Sequence, residues 1–145
     1  MKQISNGRRA MLAALSVWAF AGALPAAAQD PKISQARAAL ADWLALADAN
    51  DVAKSYANAA QRFRASMTIG QWTEAMKRAR EQFGPTVSRT FVGSQVPQPG
   101  KNTPPGEFVV IAYRTEFGKR TVGTETITME READGKWRVV GYLMR

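Results

Sequence analysis

The chain has 145 residues, of which 20 are basic and 12 are acidic, and it contains no cysteine and no histidine. The absence of cysteine excludes disulfide bonds, thiolate nucleophiles and a lipid-modified cysteine. The absence of histidine excludes Ser-His-Asp catalysis and most zinc sites. A chain of this length fits one domain built around one hydrophobic core.

The first residues have the layout of a secretory signal peptide. An uncharged run over residues 10–24 follows a short segment with three basic residues, Lys2, Arg8 and Arg9. That run is shorter than the about 20 apolar residues that a membrane-spanning helix needs. Ala26 and Ala28 are the small residues of an A-x-A site, so cleavage is predicted between Ala28 and Gln29.

The predicted leader divides the chain into a signal peptide, residues 1–28, and one α+β domain, residues 29–145. After cleavage the domain has no membrane-spanning segment, and we expect it in the periplasm or in the medium. The Arg8-Arg9 pair is also compatible with a twin-arginine signal. General secretion and twin-arginine export therefore both stay open.

The charge pattern argues against a nucleic-acid partner. Without the three basic residues of the leader, 17 basic and 12 acidic residues remain, a net charge of +5. These basic residues are spread among acidic ones instead of forming a stripe. A modest positive charge favours anionic partners.

Apolar residues at three- and four-residue spacing predict three helices in the first half of the domain. The first begins at Asp30-Pro31, a preferred N-cap followed by a preferred first helical residue. The second follows Asp51, and its apolar side consists of Val52, Tyr56, Ala59, Ala60 and Phe63. The third begins at the capping box Thr68-x-x-Gln71 and ends at Gly84-Pro85.

The spacing of apolar residues then changes to every second position, which predicts four strands joined by turns. Their predicted ranges are Thr86 to Val96 with a bulge at Gly93, Glu107 to Phe117, Arg120 to Arg131, and Lys136 to Met144. The second strand is apolar on both of its faces, which predicts a central strand that is covered on each side. Asp134-Gly135 predicts the last hairpin. The expected architecture is α+β, with three helices packed on a curved, cone-like, four-stranded antiparallel sheet.

Many of these residues occur in the order and spacing of a known family. They include 41–48, Gln71-Trp72, 106–111, 125–128 and 135–142. With them the chain resembles, over roughly Ser34 to Arg145, a family of small secreted bacterial proteins catalogued as a domain of unknown function, number 4019. The resemblance implies no established activity, cofactor or catalytic residue. The element order also resembles the nuclear-transport-factor-like cone fold, which hosts enzymes and binding proteins alike.

Five residues are candidates for ligand binding: Trp43, Tyr56, Tyr113, Arg114 and Glu125. The three aromatic residues lie in periodic apolar stripes, where such side chains either pack in the core or stack on a ligand. Arg114 lies on the same face of the second strand as Val110 and Ala112. It either binds an anion or Glu125 on a concave face, or covers the sheet with its stem while its head reaches water.

These observations predict a non-catalytic exported domain that binds a small ligand or an envelope protein, with no cofactor, no metal and no catalytic residue. One alternative is a small cone-fold enzyme that uses carboxylates such as Asp42, Glu116 or Glu125 as acid or base. The other is a homo-oligomeric structural module. In that module a homodimer is possible through the threonine face of the third strand, which consists of Thr124, Thr126 and Thr128.

Overall fold

The computed structural model describes residues 30–145, so the predicted leader and its cleavage site at Ala28 and Gln29 lie outside the described residues. Four helices come first: α1 (Pro31–Asp48), α2 (Val52–Ala57), α3 (Gln61–Ser66) and α4 (Ile69–Phe83). Four strands follow: β1 (Thr86–Gln95), β2 (Glu107–Phe117), β3 (Thr121–Arg131) and β4 (Trp137–Met144). The predicted α+β class and the four antiparallel strands are confirmed. Among these helices, none has the length and apolar character needed to cross a bilayer.

The predicted helix ends are formed by local hydrogen bonds. Asp30 caps α1 by accepting from the Lys32 backbone N–H at 2.9 Å. At the start of α4, Thr68 and Gln71 satisfy each other's backbone N–H groups, as the capping box predicts. Gly84 ends α4 with a φ of 80°, a conformation that glycine adopts without strain. The sequence signals for these boundaries are confirmed.

The prediction of one helix across residues 52–63 is wrong, because α2 and α3 are separate. The chain breaks at Ala59 and Ala60, which are fully buried. The Ala60 N–H donates to the Val139 carbonyl at 2.8 Å and so leaves the helical pattern. An alanine side chain is small enough to let the backbone approach β4 this closely. A hydrogen bond to a distant strand does not change the apolar spacing, so the periodicity gave no sign of the break.

The sheet has the strand order β1-β2-β3-β4, and all neighbours are antiparallel. The helices pack on one face, here called the inner face, where Val109 and Ile111 on β2 are fully buried. A register shift between Phe91 and Gly93 confirms the predicted bulge in β1. A register shift in the β3–β4 pairing leaves Val140 without a partner between Val139 and Gly141.

The prediction that β2 is covered on both faces is wrong. Phe108, Val110 and Ala112 point to the opposite, outer face and are only half-buried, and Arg114 on the same face is exposed. All four helices precede the sheet and pack on the inner face. The apolar residues on the outer face of β2 are therefore available for contacts outside the core.

Ser55 is the polar centre of an aromatic cluster in the core. The Trp43 indole N–H donates to the Ser55 carbonyl at 2.8 Å. The Trp72 indole N–H donates to the Ser55 hydroxyl at 3.0 Å, and that hydroxyl donates to the Val52 carbonyl at 3.1 Å. Tyr142 packs edge-on against both indole rings. The two buried indole donors are thus both satisfied, as burial requires.

Replacing Ser55 with alanine leaves the buried Trp72 N–H without an acceptor. We expect Ser55→Ala to lower the free energy of unfolding by about 1–3 kcal/mol, measured by urea denaturation. The matched control is Ser66→Ala, because the exposed Ser66 hydroxyl also donates to a carbonyl three residues earlier, at 2.9 Å, but bonds no indole. Equal losses in the two variants would contradict this account.

Candidate functional site

A buried ionic cluster joins the helices to the inner face of the sheet. Its centre is Glu125 on β3, whose side chain is completely buried. The Arg89 guanidinium donates to both Glu125 oxygens, at 2.5 and 3.0 Å. The same guanidinium donates to both oxygens of Asp48, the last residue of α1, at 2.5 and 2.8 Å. One arginine is therefore held by two carboxylates from different layers of the fold.

Each of the other strands also contributes to this cluster. Thr115 on β2 donates its hydroxyl to Glu125 Oε2, and Tyr142 on β4 donates its hydroxyl to Glu125 Oε1. Arg89 and Thr115 are cross-strand partners in the β1–β2 register. The register of the sheet thus brings one polar side chain from every strand to the same place.

Burial and neighbouring charges together shift the pKa values of Arg89 and Tyr142. Burial alone disfavours the charge of Arg89, but the hydrogen bonds and charges of Asp48 and Glu125 outweigh it and raise the pKa of the guanidinium. Burial, followed by the charge of Glu125, raises the pKa of Tyr142 well above its usual range. Arg89 is therefore charged, and Tyr142 is a neutral donor.

The geometry of Glu125 does not suit a general base. A base needs a free lone pair and contact with the substrate. Glu125 accepts four hydrogen bonds and has no exposed surface. Beside the cluster lies a cavity of about 20 Å³ lined by residues that include Asp48, Arg80 and Tyr142. That volume holds one water molecule.

Removing the cation from this cluster leaves two carboxylates without their partner. We expect Arg89→Met to lower the free energy of unfolding by about 3–5 kcal/mol, measured by urea denaturation. The control is Arg114→Met, because Arg114 is exposed and lies 3.6 Å from the exposed Glu116, so its loss changes stability by less than about 1 kcal/mol. A small effect of Arg89→Met would show that the cluster does not hold α1 on the sheet.

The second site is a groove on the outer face, beneath the loop 96–106 between β1 and β2. It has a volume of about 330 Å³, and most of its lining comes from Pro97, Pro104, Phe108, Thr128, Val140 and Gly141. Val110, the register partner of Thr128, leads from it to a neighbouring depression of about 420 Å³. Gly93, Ala112 and Thr126 line that depression. The two spaces adjoin along the outer face of β2 and β3, because Thr128 of the first is paired with Val110 of the second, and together they are called the outer groove.

Local sequence features build the groove. Gly141 has no side chain and leaves its floor open, while the neighbouring bulge residue Val140 adds an apolar wall. Gly93 opens the depression, because a side chain placed there would meet no atom within 4 Å. Prolines in the loop remove backbone donors, so the loop does not continue the sheet.

Arg62 closes the loop end of the groove. Its guanidinium lies 3.2 Å from the Glu130 carboxylate and donates to the Pro105 carbonyl at 3.2 Å. It also lies 5.9 Å from the centre of the Phe108 ring. The charge of Arg62 is therefore already paired with that of Glu130, whose side chain is almost completely buried.

The five residues singled out from the sequence do not form one site. Trp43 lies in the core with its N–H on Ser55, and the Tyr56 hydroxyl donates to the Met67 carbonyl at 2.8 Å. Tyr113 lies on the inner face against Phe91, with ring centres 6.1 Å apart.

The remaining two candidates, Arg114 and Glu125, lie on opposite faces of the sheet. Glu125 points to the inner face and belongs to the ionic cluster, whereas Arg114 is exposed on the outer face. The possible pairing of Arg114 with Glu125 is therefore wrong.

Sequence reasoning missed Arg89, Asp48 and the groove. One signal for Arg89 was present: it is the only charged residue between Thr86 and Gln95. That isolation singles out Arg89, but charged side chains of edge strands are mostly exposed, so it does not indicate an inward-facing ion pair. The groove depends on where the loop lies over the sheet, and the sequence contains no comparable signal for that.

In the comparisons with known proteins, a family model described as "Protein of unknown function (DUF4019)" matches residues 39–142. The match extends from α1 to β4 and includes the ionic cluster and both parts of the groove. No curated protein and no solved structure matches the chain.

Proposed function

The chain belongs to the DUF4019 family of proteins of unknown function, and we propose that it is an exported, non-catalytic domain that binds a small apolar ligand in the groove beneath the loop 96–106. The observation that carries the proposal is an apolar space outside the core. Its volume of about 330 Å³ lies in the range of small-molecule sites. The predicted leader supports export to the periplasm or the medium.

The filled inner face of the sheet is a reason to place the ligand in the outer groove. In cone-shaped folds a ligand can enter between the sheet and the helices, but here aromatic side chains and the ionic cluster fill that region. The carboxylate-enzyme alternative receives no support from Glu125, because its lone pairs are occupied. A small ligand is favoured over an envelope protein because a loop borders the groove on one side and limits its size.

Mass spectrometry under native conditions tests export and binding together. We expect the protein recovered from the periplasm or medium of its own host to have the mass of residues 29–145 plus an adduct of small-molecule size. A mass that includes residues 1–28 would contradict the predicted cleavage. The processed mass without any adduct would contradict a resident ligand.

A substitution in the floor of the groove tests the site itself. A side chain at Gly141 points into the groove, where its Cβ makes an ordinary 3.6 Å contact with Thr128. We expect Gly141→Leu to weaken binding of the uncharged dye Nile red at least about tenfold, measured by fluorescence titration, because it fills apolar space.

Gly70→Leu is the control for this titration. It makes the same substitution on the exposed surface of α4, where the added Cβ approaches only the Thr68 hydroxyl, at 3.9 Å. We expect its affinity for the dye to equal that of the unchanged protein. Equal dye binding by Gly141→Leu would place the apolar site elsewhere.

A further inference from the structure

We propose that the ligand is a single-chain anionic amphiphile, which lies with its apolar chain along the outer groove and its anionic head on Arg114. This inference rests on the proposed function and adds the chemical class and the orientation of the ligand. It is carried by the length of the groove and by the difference between the arginines at its two ends.

The groove has the dimensions of one acyl chain. From Phe108 beneath the loop to Arg114 there are six residue-to-residue steps along β2, or about 20 Å of extended strand. The acyl chain of a membrane lipid spans about 15 Å, half of the hydrocarbon core. An acyl chain of this length fits between the loop and the register pair Ala112–Thr126. Its head then lies at the next outward-facing register pair of β2 and β3, beside Arg114.

The surface along this path is apolar or uncharged. Val110 and Ala112 form the floor together with Thr126 and Thr128 of β3, and the Leu143 side chain on β4, 46% exposed, lies in the same register row as Ala112. Gly93 completes that row on β1. An apolar chain placed here covers exposed apolar surface without burying a charge.

The two ends of the groove differ in charge. At the loop end, Arg62 is paired with the nearly buried Glu130 at 3.2 Å. At the open end, Arg114 lies 3.6 Å from Glu116, and both side chains are more than half exposed. An exposed pair of this kind is weak, so Arg114 is free to bind another anion. The anionic head of the ligand therefore lies at Arg114, and the far end of its acyl chain lies under the loop 96–106.

The test compares two probes of equal chain length, hexadecanoate and uncharged hexadecanol, on the full protein. Calorimetric or dye-displacement titration measures both affinities. We expect Arg114→Met to weaken hexadecanoate binding at least about tenfold, because a charge-assisted contact is lost, and to leave hexadecanol binding unchanged. Arg78→Met removes the same charge from the exposed surface of α4 and is expected to change neither affinity.

The outcomes separate this inference from the proposed function. Unchanged hexadecanoate binding by Arg114→Met overturns the position of the head. Equal weakening by Arg114→Met and Arg78→Met overturns it as well, because net charge then accounts for the effect. Nile red binding that Gly141→Leu abolishes, without any binding of hexadecanoate, overturns the amphiphile and keeps the apolar site. If the unchanged protein binds none of the probes, both proposals are overturned.

Discussion

The guanidinium of Arg89 lies between the carboxylates of Asp48 and Glu125, and this contact ties the end of α1 to the sheet. Asp48 ends α1, Arg89 belongs to β1 and Glu125 belongs to β3, so one charged group connects both layers. Buried ion pairs do not always increase stability, since both partners lose their hydration. Such a pair is favourable, however, only when the charged groups keep good hydrogen-bond distances and angles. A shift of α1 along the sheet would separate Arg89 from Asp48, whose side chain is 36% exposed, while Glu125 has no exposed surface.

This constraint explains why the two faces of the sheet have different roles. On the inner face, the ionic cluster and the aromatic rings around Ser55 occupy the space between the sheet and the helices. On the outer face, Phe108, Val110 and Ala112 of β2 are only half-buried. The filled inner face also supports the strands that form the floor of the outer groove, and a site on regular secondary structure is placed more precisely than one on loops.

The sequence predicted the parts of the fold that depend on local chemistry. The caps at Asp30, Thr68 and Gly84 lie where predicted, and the strands begin and end within about two residues of their predicted limits. The errors have a common cause, because each depends on a distant partner. Ala60 leaves the helix to bond Val139, and Arg89 acquires its role only through strand register. Apolar spacing indicates which face of an element is buried, but it does not say what lies opposite. The candidate residue Glu125 was therefore found without its partners.

The loop above the groove has four prolines, at positions 97, 99, 104 and 105. Each proline ring fixes one backbone dihedral angle, so the loop has fewer conformations to lose than a loop of equal length without proline. A hydrogen-bonded turn between Gly100 and Thr103 restricts it further. Closing a flexible loop over a ligand reduces affinity through lost conformational entropy. Here the prolines and the turn already restrict the loop in the folded protein, so a ligand in the groove has less loop ordering to impose than it would have beneath a proline-free loop.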